Sequence, residues 1–431
     1  MASKILMGDM PELMENILKH LNNEIYSLYS EWTCLKLGNP YSPFYDSILI
    51  TLLFKLFLEN GAILHELGLY NSEFLKFELE IFHSLEQNVQ FYSRLQHLSL
   101  HIISNSGIED FAILLRILAK NTTNISALKL FVGSDYESQL IHTLFSILIR
   151  FIKSQEQLRK FILEGYNCST EFYGIISALE SQKNTLQEVI LKGCVFSAEF
   201  EVLNNCKNLE TLRILYCDME LLKILDYNIS TLEITHSQIE VPFVVQILEK
   251  VGKLLQRLKF ETDIVIQEES LLLEALNSFC PNIIYLCITD IGLSTQFLEL
   301  IGNLQKLQFL SLGYAYHTPK EERKIQVVQF AKILSSTLQY LDLALGFSDT
   351  LLDSTFDILL DHCNAPLKKL LISNRSLNNE KNTKALIRYC TRIKTLNHVG
   401  IVNHCDLGDD VRNELEKYVT LAPYKHIVVN C

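Results

Sequence analysis

The sequence predicts an α/β fold. It would be a right-handed solenoid with parallel strands on its concave face and helices on its convex face, preceded by a small all-α N-terminal segment. Two observations predict it: a short apolar motif recurs along most of the chain, and helical periodicity fills the intervals between its copies. A strand, a helix and a second parallel strand close as a right-handed coil. Because one such unit cannot bury its apolar stripe alone, successive units stack on a shared core.

The recurring motif is apolar-x-x-apolar-x-apolar, and we count twelve copies. In a strand, successive side chains point to opposite faces, so the apolar positions of each copy point inward and the residues between them point outward. The copies are Leu95/Leu98/Leu100, Ile125/Leu128/Leu130, Leu158/Phe161/Leu163, Leu186/Val189/Leu191, Leu209/Leu212/Ile214, Ile229/Leu232/Ile234, Leu255/Leu258/Phe260, Ile283/Leu286/Ile288, Leu307/Leu310/Leu312, Leu338/Leu341/Leu343, Leu367/Leu370/Ile372 and a weaker Ile393/Leu396/His398.

The intervals between the copies carry the spacing of amphipathic helices. In one interval the apolar residues are Phe111, Leu114, Leu115 and Leu118, which share one helical face. Ser106 and Glu109 have the spacing of a capping box ahead of this helix. Strands and helices therefore alternate.

Composition and charge restrict the class of partner. Hydrophobic residues make up 48% of the chain and charged residues 20%, which suits a packed core and not a disordered chain. The net charge is −12, with 50 acidic and 38 basic residues. Nucleic acids and anionic membranes select a basic surface, so we expect neither as a partner.

The sequence also predicts where the chain resides. The first dozen residues include Asp9 and Glu12 and no apolar stretch, so we see no secretory signal. The apolar run from Ile48 to Leu58 contains Lys55 and is far shorter than the ~20 residues of a membrane helix. We therefore expect the eleven cysteines to be reduced, in a cytoplasmic or nuclear protein or one found in both compartments.

Several cysteines stand at fixed positions beside the motif. Cys206, Cys280 and Cys390 precede a copy by three residues, and Cys194 and Cys217 follow the last apolar position of a copy by three. A cysteine is a small side chain that is readily buried at a tight corner. The alternative, metal ligation, lacks any C-x-x-C or Cys/His pair at ligand spacing, so we predict no metal and no cofactor.

This pattern resembles the cysteine-containing class of leucine-rich repeats, the strand–helix horseshoe of the ribonuclease-inhibitor type, which is often attached to F-box proteins. The resemblance implies a leucine-rich-repeat domain of about twelve repeats over residues 91–431.

Residues 9–21 have the stripe of an amphipathic first helix, which is the simpler interpretation. They also resemble the opening of an F-box, a helix that in that family docks on a Skp-type adaptor of a cullin–RING ubiquitin ligase. The resemblance makes residues 1–36 a partial F-box-like helical segment. The adaptor contacts that it implies are Met10, Pro11, Leu13, Ile17, Leu18 and Leu21.

The chain departs from the F-box pattern after Ser30. The family continues with a helix that carries an arginine two residues before a tryptophan, whereas Trp32 here follows Ser30 and Glu31. Gly38, Pro40 and Pro43 then interrupt the chain. The F-box would be truncated, and we interpret residues 37–90 as a helical linker and N-terminal cap, with two or more helices in 44–90.

The outward positions of the strands form a surface large enough for a protein interface. The position before the second apolar residue is occupied in five consecutive copies by Arg257, Tyr285, Phe309, Tyr340 and Lys369. With strands ~4.8 Å apart, three aromatics would stand side by side between two cations. Tyrosine and arginine are enriched at binding hot spots, although aromatics also form structural cross-strand ladders. We predict target binding by these five residues together with Lys259, unless a loop covers this face.

The chain contains none of the common catalytic or nucleotide-binding motifs, so we do not expect an enzyme. The F-box resemblance implies a substrate-recognition subunit of an SCF-type (Skp–cullin–F-box) ubiquitin ligase, which recruits a target protein on the repeat surface for ubiquitin-dependent degradation. The alternative is a stand-alone interaction scaffold or inhibitor without ligase association. The target itself cannot be identified from the repeats.

Overall fold

The fold is described from a computed structural model. The structure describes residues 34–37, 63–71, 79–102, 108–133, 138–168, 174–224, 228–236, 238–262, 264–314, 320–345, 355–373, 377, 379–402 and 407–429. The chain divides into two compact units, Met1–Thr185 (unit 1) and Leu186–Cys431 (unit 2). Both units are built from strands that alternate with helices.

Unit 1 contains five described strands, and each pairs in parallel with the next along the chain. They are β1 (Cys34–Leu37), β2 (Glu66–Asn71), β3 (His97–Ile102), β4 (Ala127–Val132) and β5 (Lys160–Cys168). The helices between them are α1 (Leu79–Gln87), α2 (Ile108–Asn121) and α3 (Ser138–Ser154), with short 3-10 helices at Val89–Tyr92 and Ser177–Gln182.

Unit 2 contains ten described strands, again paired in parallel in chain order. They are β6 (Glu188–Cys194), β7 (Thr211–Leu215), β8 (Thr231–His236), β9 (Arg257–Thr262), β10 (Tyr285–Ile291), β11 (Phe309–Tyr314), β12 (Tyr340–Leu345), β13 (Lys369–Ser373), β14 (His398–Val402) and β15 (Thr420–Pro423).

The connections of unit 2 are helical. Two 3-10 helices, Ala198–Asn205 and Met219–Ile224, precede the α-helices. The α-helices are α4 (Val241–Val251), α5 (Glu269–Phe279), α6 (Thr295–Asn303), α7 (Lys320–Ile333), α8 (Phe356–His362), α9 (Glu380–Arg392), α10 (Asp409–Leu415) and the single turn α11 (Tyr424–Ile427). Ser294 and Asn379 cap α6 and α9 by accepting hydrogen bonds from backbone amides of the first turn.

The predicted fold class, a leucine-rich-repeat solenoid of parallel strands and helices, is confirmed. In eleven of the twelve predicted copies all three apolar residues are buried, as at Leu212, Leu258 and Leu310. Successive strands align these positions, with Leu232 opposite Leu258 and Leu258 opposite Leu286. Within each unit the interior is therefore a stack of equivalent apolar side chains, covered by the helices that follow the strands.

The twelfth copy was predicted in the wrong register. The buried apolar residues are Leu396, which precedes β14, and Val399 and Ile401 within it, and His398 lies opposite Lys369 of β13 on the other sheet face. The predicted Ile393/Leu396/His398 is displaced by three residues. Both registers satisfy part of the motif, and pairing with β13 selects the one that buries valine and isoleucine in place of histidine.

The repeats also begin earlier than the predicted boundary at residue 91. Strand β2 lies inside the segment that we interpreted as a helical cap, and its Leu64, Leu67 and Leu69 form a buried triad of the same type. Helix α1 accounts for only part of that segment. Within residues 37–90, which we interpreted as a helical linker and N-terminal cap, the described residues therefore include a strand as well as a helix.

The corner cysteines are buried as predicted. Cys206, Cys280 and Cys390 lie where a helix turns into a strand, and burial raises the pKa of the Cys280 thiol to about 12. In unit 1 glutamines fill comparable corners: buried Gln155 donates to Thr122 O, and buried Gln182 donates to Gln155 O. These amides satisfy backbone carbonyls that the turn leaves exposed to the interior.

Candidate functional site

The outward-facing side chains of unit 2 form a surface that we call the open face, on the side of the sheet away from the apolar triads. One row across it contains Arg257, Tyr285, Phe309, Tyr340 and Lys369, each directly opposite the next in the strand register. We call these five residues the aromatic row. The register that the sequence predicted for them is therefore present in the structure.

Members of the aromatic row contact one another along the sheet. The Arg257 guanidinium lies 4.7 Å from the centroid of the Tyr285 ring, within the range of a cation–π interaction. The Tyr285 and Phe309 rings are 6.3 Å apart, and the Phe309 and Tyr340 rings 5.8 Å apart. Tilted ring pairs at these distances attract each other. The three aromatics therefore form a structural cross-strand ladder, which was the alternative to target binding.

A second feature of the open face is an ion-pair network on β6–β9, which we call the charged network: Glu188, Arg213, Glu233, Lys259 and Glu261. Arg213 lies 3.4 Å from Glu188 and 3.3 Å from Glu233. Lys259 lies 2.9 Å from Glu233 and 2.8 Å from Glu261. Acidic and basic groups thus alternate from one strand to the next, from Glu188 to Lys259, and Glu261 adds a third carboxylate.

Glu233 is the enclosed member of the charged network. Its side chain is 7% exposed, whereas those of Arg213 and Lys259 are 26% and 21% exposed. Burial of the Lys259 ammonium works to lower its pKa, but the hydrogen bonds that it donates to the carboxylates of Glu261 and Glu233 outweigh burial and raise the pKa. Lys259 therefore stays charged and opposes the cost of burying the Glu233 carboxylate.

The other end of the open face is covered by residues 424–429, which we call the C-terminal segment. This segment, α11 and the two residues after it, packs on β10–β14. Tyr285 and Tyr340 of the aromatic row are only 3% and 1% exposed as a result. The possibility that a loop covers this face was left open by the sequence, and the structure places residues 424–429 there.

Asp342 lies beneath the C-terminal segment and is 1% exposed. Its carboxylate accepts hydrogen bonds from the hydroxyls of Tyr424 (2.9 Å) and Tyr340 (3.4 Å). Burial and the nearby Asp342 charge raise the pKa of both tyrosines above their ordinary value of 10.0. Both hydroxyls therefore keep their protons and remain donors to the carboxylate.

The predicted site residues divide into two groups. Arg257, Lys259 and Lys369 are partly exposed on the open face, whereas two of the three aromatics lie under the C-terminal segment. Target binding by these residues stays a prediction. The predicted adaptor contacts Met10, Pro11, Leu13, Ile17, Leu18 and Leu21 lie outside the described residues.

Sequence reasoning placed Asp342 on the same sheet face as Lys259 but missed Arg213 and Glu233. All three residues lie two positions after the first residue of their strands, which is also the position of Lys259 in β9. Charged residues recurring at this position were therefore the available sequence signal. Among the described residues we find no helix with the length and apolarity needed to cross a membrane. Within those residues, histidines, cysteines and carboxylates form no group of three suited to a metal ion.

No family model matches the sequence, and no curated protein matches it. Among solved structures, the chain is similar to the yeast Rad7–Elc1 complex, with 13% identity, 98% of each chain covered and a TM-score of 0.45.

Two bacterial structures are also similar. The leucine-rich-repeat-containing protein LegL7 of Legionella pneumophila is 14% identical, with 72% of this chain and 88% of that chain covered and a TM-score of 0.39. An internalin, InlF, of Listeria monocytogenes is 12% identical, with 80% and 85% covered and a TM-score of 0.36. The fold assignment rests on the strand order and register of this chain itself.

Proposed function

We propose that this chain is a protein-recognition subunit that holds a partner protein on the open face of unit 2. The observation that carries the proposal is that this face already holds a stretch of polypeptide, the C-terminal segment, through apolar packing and tyrosine hydrogen bonds. The charged network beside it supplies fixed charges that can select a partner. An aromatic centre with a charged margin is the usual composition of a protein interface.

We further propose that the partner is the target of an SCF-type ubiquitin ligase. In this role residues 10–21 would bind a Skp-type adaptor, and the open face would hold the target while other subunits carry out ubiquitin transfer. The support for this step is the F-box-like sequence from Met10 to Leu21. The chain itself would then be non-catalytic.

A stand-alone scaffold or inhibitor is the second candidate, and one observation favours it. Strand β1 begins at Cys34 and pairs with β2, so the sheet starts soon after Leu21. Little chain is left for the later helices that an F-box would contribute to an adaptor interface. A chain of this kind would bind its partner without any ligase.

Co-purification with a recombinant Skp-type adaptor separates the two candidates. We expect the wild-type chain to retain the adaptor and the Leu13→Asp/Ile17→Asp variant to retain about tenfold less, because the substitutions place charges on the apolar stripe of the docking helix. The control, Lys19→Asp/Asn22→Asp, also introduces two aspartates, but on its polar side, and should retain the adaptor. If the wild-type chain retains none, the scaffold or inhibitor role replaces the ligase role.

A further inference from the structure

The C-terminal segment is held on the open face by its apolar side chains. Val429 packs against the buried pair Tyr285 and Cys287. Ile427, which is 8% exposed, belongs to a cluster with Tyr340 and Leu371. Lys425 and His426, which precede Ile427, are exposed. The segment therefore presents one apolar side to the sheet and one polar side to solvent, as a bound peptide does.

Hydrogen bonds hold the backbone of the same segment. The Tyr285 hydroxyl donates to Val429 O at 3.2 Å, and Val429 N donates to the Tyr340 hydroxyl at 3.1 Å. Two tyrosines thus bind the backbone N–H and the backbone carbonyl of one residue, Val429, and these two hydrogen bonds do not depend on the identity of its side chain. Asp342 adds selectivity because it accepts from the Tyr424 hydroxyl.

Gly400 of β14 provides a socket for Ile427. A Cβ atom at position 400 would lie 2.8 Å from Cδ1 and Cγ1 of Ile427 and 3.0 Å from Cγ of Leu371. Both contacts to Ile427 are closer than folded proteins tolerate, so the absence of a side chain is what admits the isoleucine. Because Ile427 occupies the space that a side chain at position 400 would fill, we expect a branched aliphatic residue here.

The segment is short and only partly buried. α11 is a single turn, and the two residues after it, Val428 and Val429, are only partly buried. The apolar burial of a few side chains is opposed by the entropy of ordering six residues. Covalent attachment raises the effective concentration of the segment to the millimolar range, so it occupies the face in preference to a free peptide of equal affinity.

We propose that the surface beneath the C-terminal segment is a peptide-binding groove and that the chain occupies its own groove. The partner it fits is a protein segment with tyrosine, an isoleucine or valine three residues later, and a second branched aliphatic residue two positions beyond that. Tyr424, Ile427 and Val429 fill these positions in the chain itself. The inference rests on the proposed function, because the partner would bind the same open face after displacing the segment.

The test uses a fluorescent peptide with the sequence of residues 423–430 and the full-length chain. The Ile427→Asp/Val429→Asp chain should bind the peptide with saturation, whereas wild type should bind it at least about tenfold more weakly because its groove is filled. The matched control Lys425→Asp/His426→Asp, at exposed positions, should behave as wild type. Adding Gly400→Leu to the Ile427→Asp/Val429→Asp chain fills the socket and should abolish peptide binding.

Each other outcome overturns the groove. If the Ile427→Asp/Val429→Asp chain is folded and does not bind the peptide, the C-terminal segment is not an exchangeable ligand. Equal binding by wild type shows that the peptide uses another surface. A second variant that ends at Pro423 guards against misfolding; if both variants lose their circular dichroism and cooperative unfolding, the segment is part of the core. The adaptor co-purification tests residues 10–21 alone. A wild-type chain that retains no adaptor would therefore contradict the ligase role and leave the peptide-binding groove unaffected.

Discussion

Glu233 places a carboxylate on the open face with a side chain that is 7% exposed. A buried charge is tolerated when partners replace the lost water. Arg213 and Lys259 do so from the strands on either side, at 3.3 and 2.9 Å. The stability of this part of the sheet therefore depends on these two cations more strongly than their own partial exposure suggests.

Replacing Lys259 by methionine tests this dependence. The substitution keeps most of the apolar stem and removes the charge that neutralises Glu233. We expect the free energy of unfolding to fall by about 2 kcal/mol, since one cation remains and the site is not fully dry. The measurement is chemical denaturation followed by circular dichroism.

Two comparisons control the Lys259 prediction. Adding Glu233→Gln should recover part of the loss, because the uncompensated carboxylate is then gone and the two effects are not additive. Lys417→Met removes a cation whose side chain is 63% exposed and whose partner is Glu414, and we expect no measurable change. An equal loss at both lysines would show that enclosure of Glu233 contributes nothing.

At the scale of elements, β14 and α11 meet at Gly400. A Gly400→Ala substitution would bring a Cβ within 2.8 Å of Ile427 while leaving the pairing of β14 with β13 unchanged. Mild overpacking typically costs 1–3 kcal/mol, and here the C-terminal segment can move away. We expect the amides of Val428 and Val429 to exchange roughly tenfold faster in hydrogen–deuterium exchange, with β14 still protected.

Gly408→Ala is the matched control for the Gly400 substitution. A Cβ at position 408 would meet no atom within 4 Å, so the same chemical change should leave the exchange of the C-terminal segment as it is. Faster exchange throughout unit 2 after Gly400→Ala would contradict the prediction, because it would mean that the segment and the sheet open together.

The repeat was predictable because its signal is local. Every strand with an unambiguous triad, such as Leu307, Leu310 and Leu312, is in the predicted register, since three apolar residues in six positions suffice to choose a face. The error at β14 arose where Ile393 offers a second apolar start three residues early. Strand β2 was not predicted, although Leu64, Leu67 and Leu69 have the spacing of the motif.

The open face was predictable only in part. The alignment of the aromatic row follows from strand order and register, which the motif determines. The C-terminal segment does not, because its contact with Tyr285 joins residues 144 positions apart and no periodicity connects them. The apolar Ile427, Val428 and Val429 after the last repeat were the available signal, and they could not indicate which surface they cover.

For the whole molecule, the buried tyrosines and thiols determine the response to alkaline pH. Burial raises the pKa of the Cys390 thiol to about 11 and of the Cys280 thiol to about 12, from an ordinary value of 9.0. Burial likewise raises the pKa of four tyrosines above 10.0: Tyr92, Tyr340, Tyr389 and Tyr424. Cys217 contributes in the opposite direction, since its pKa is lowered despite burial by hydrogen bonds with Cys194.

The sign of the effect follows from proton binding. Above pH 9.0 the unfolded chain releases thiol protons, and above pH 10.0 it releases tyrosine protons, whereas the folded chain retains both. The folded state then binds more protons than the unfolded state, so stability falls as the pH rises. The stabilisation from these groups is fully present below pH 9.0. The loss of stability due to each thiol stops growing once the pH passes its folded-state pKa, about 11 for Cys390 and about 12 for Cys280.

We therefore expect the urea midpoint of a reduced sample to be constant from about pH 7 to about pH 8.5 and to fall steadily toward about pH 11. Each tyrosine that must stay protonated removes about 1.4 kcal/mol per pH unit once the unfolded chain ionises. Tyr340→Phe/Tyr424→Phe removes two of these groups, so its midpoint should fall less steeply even if it starts lower. A midpoint that holds or rises between about pH 9 and about pH 11, or equal slopes for both chains, would contradict the assignment of these hydroxyls as donors that must keep their protons.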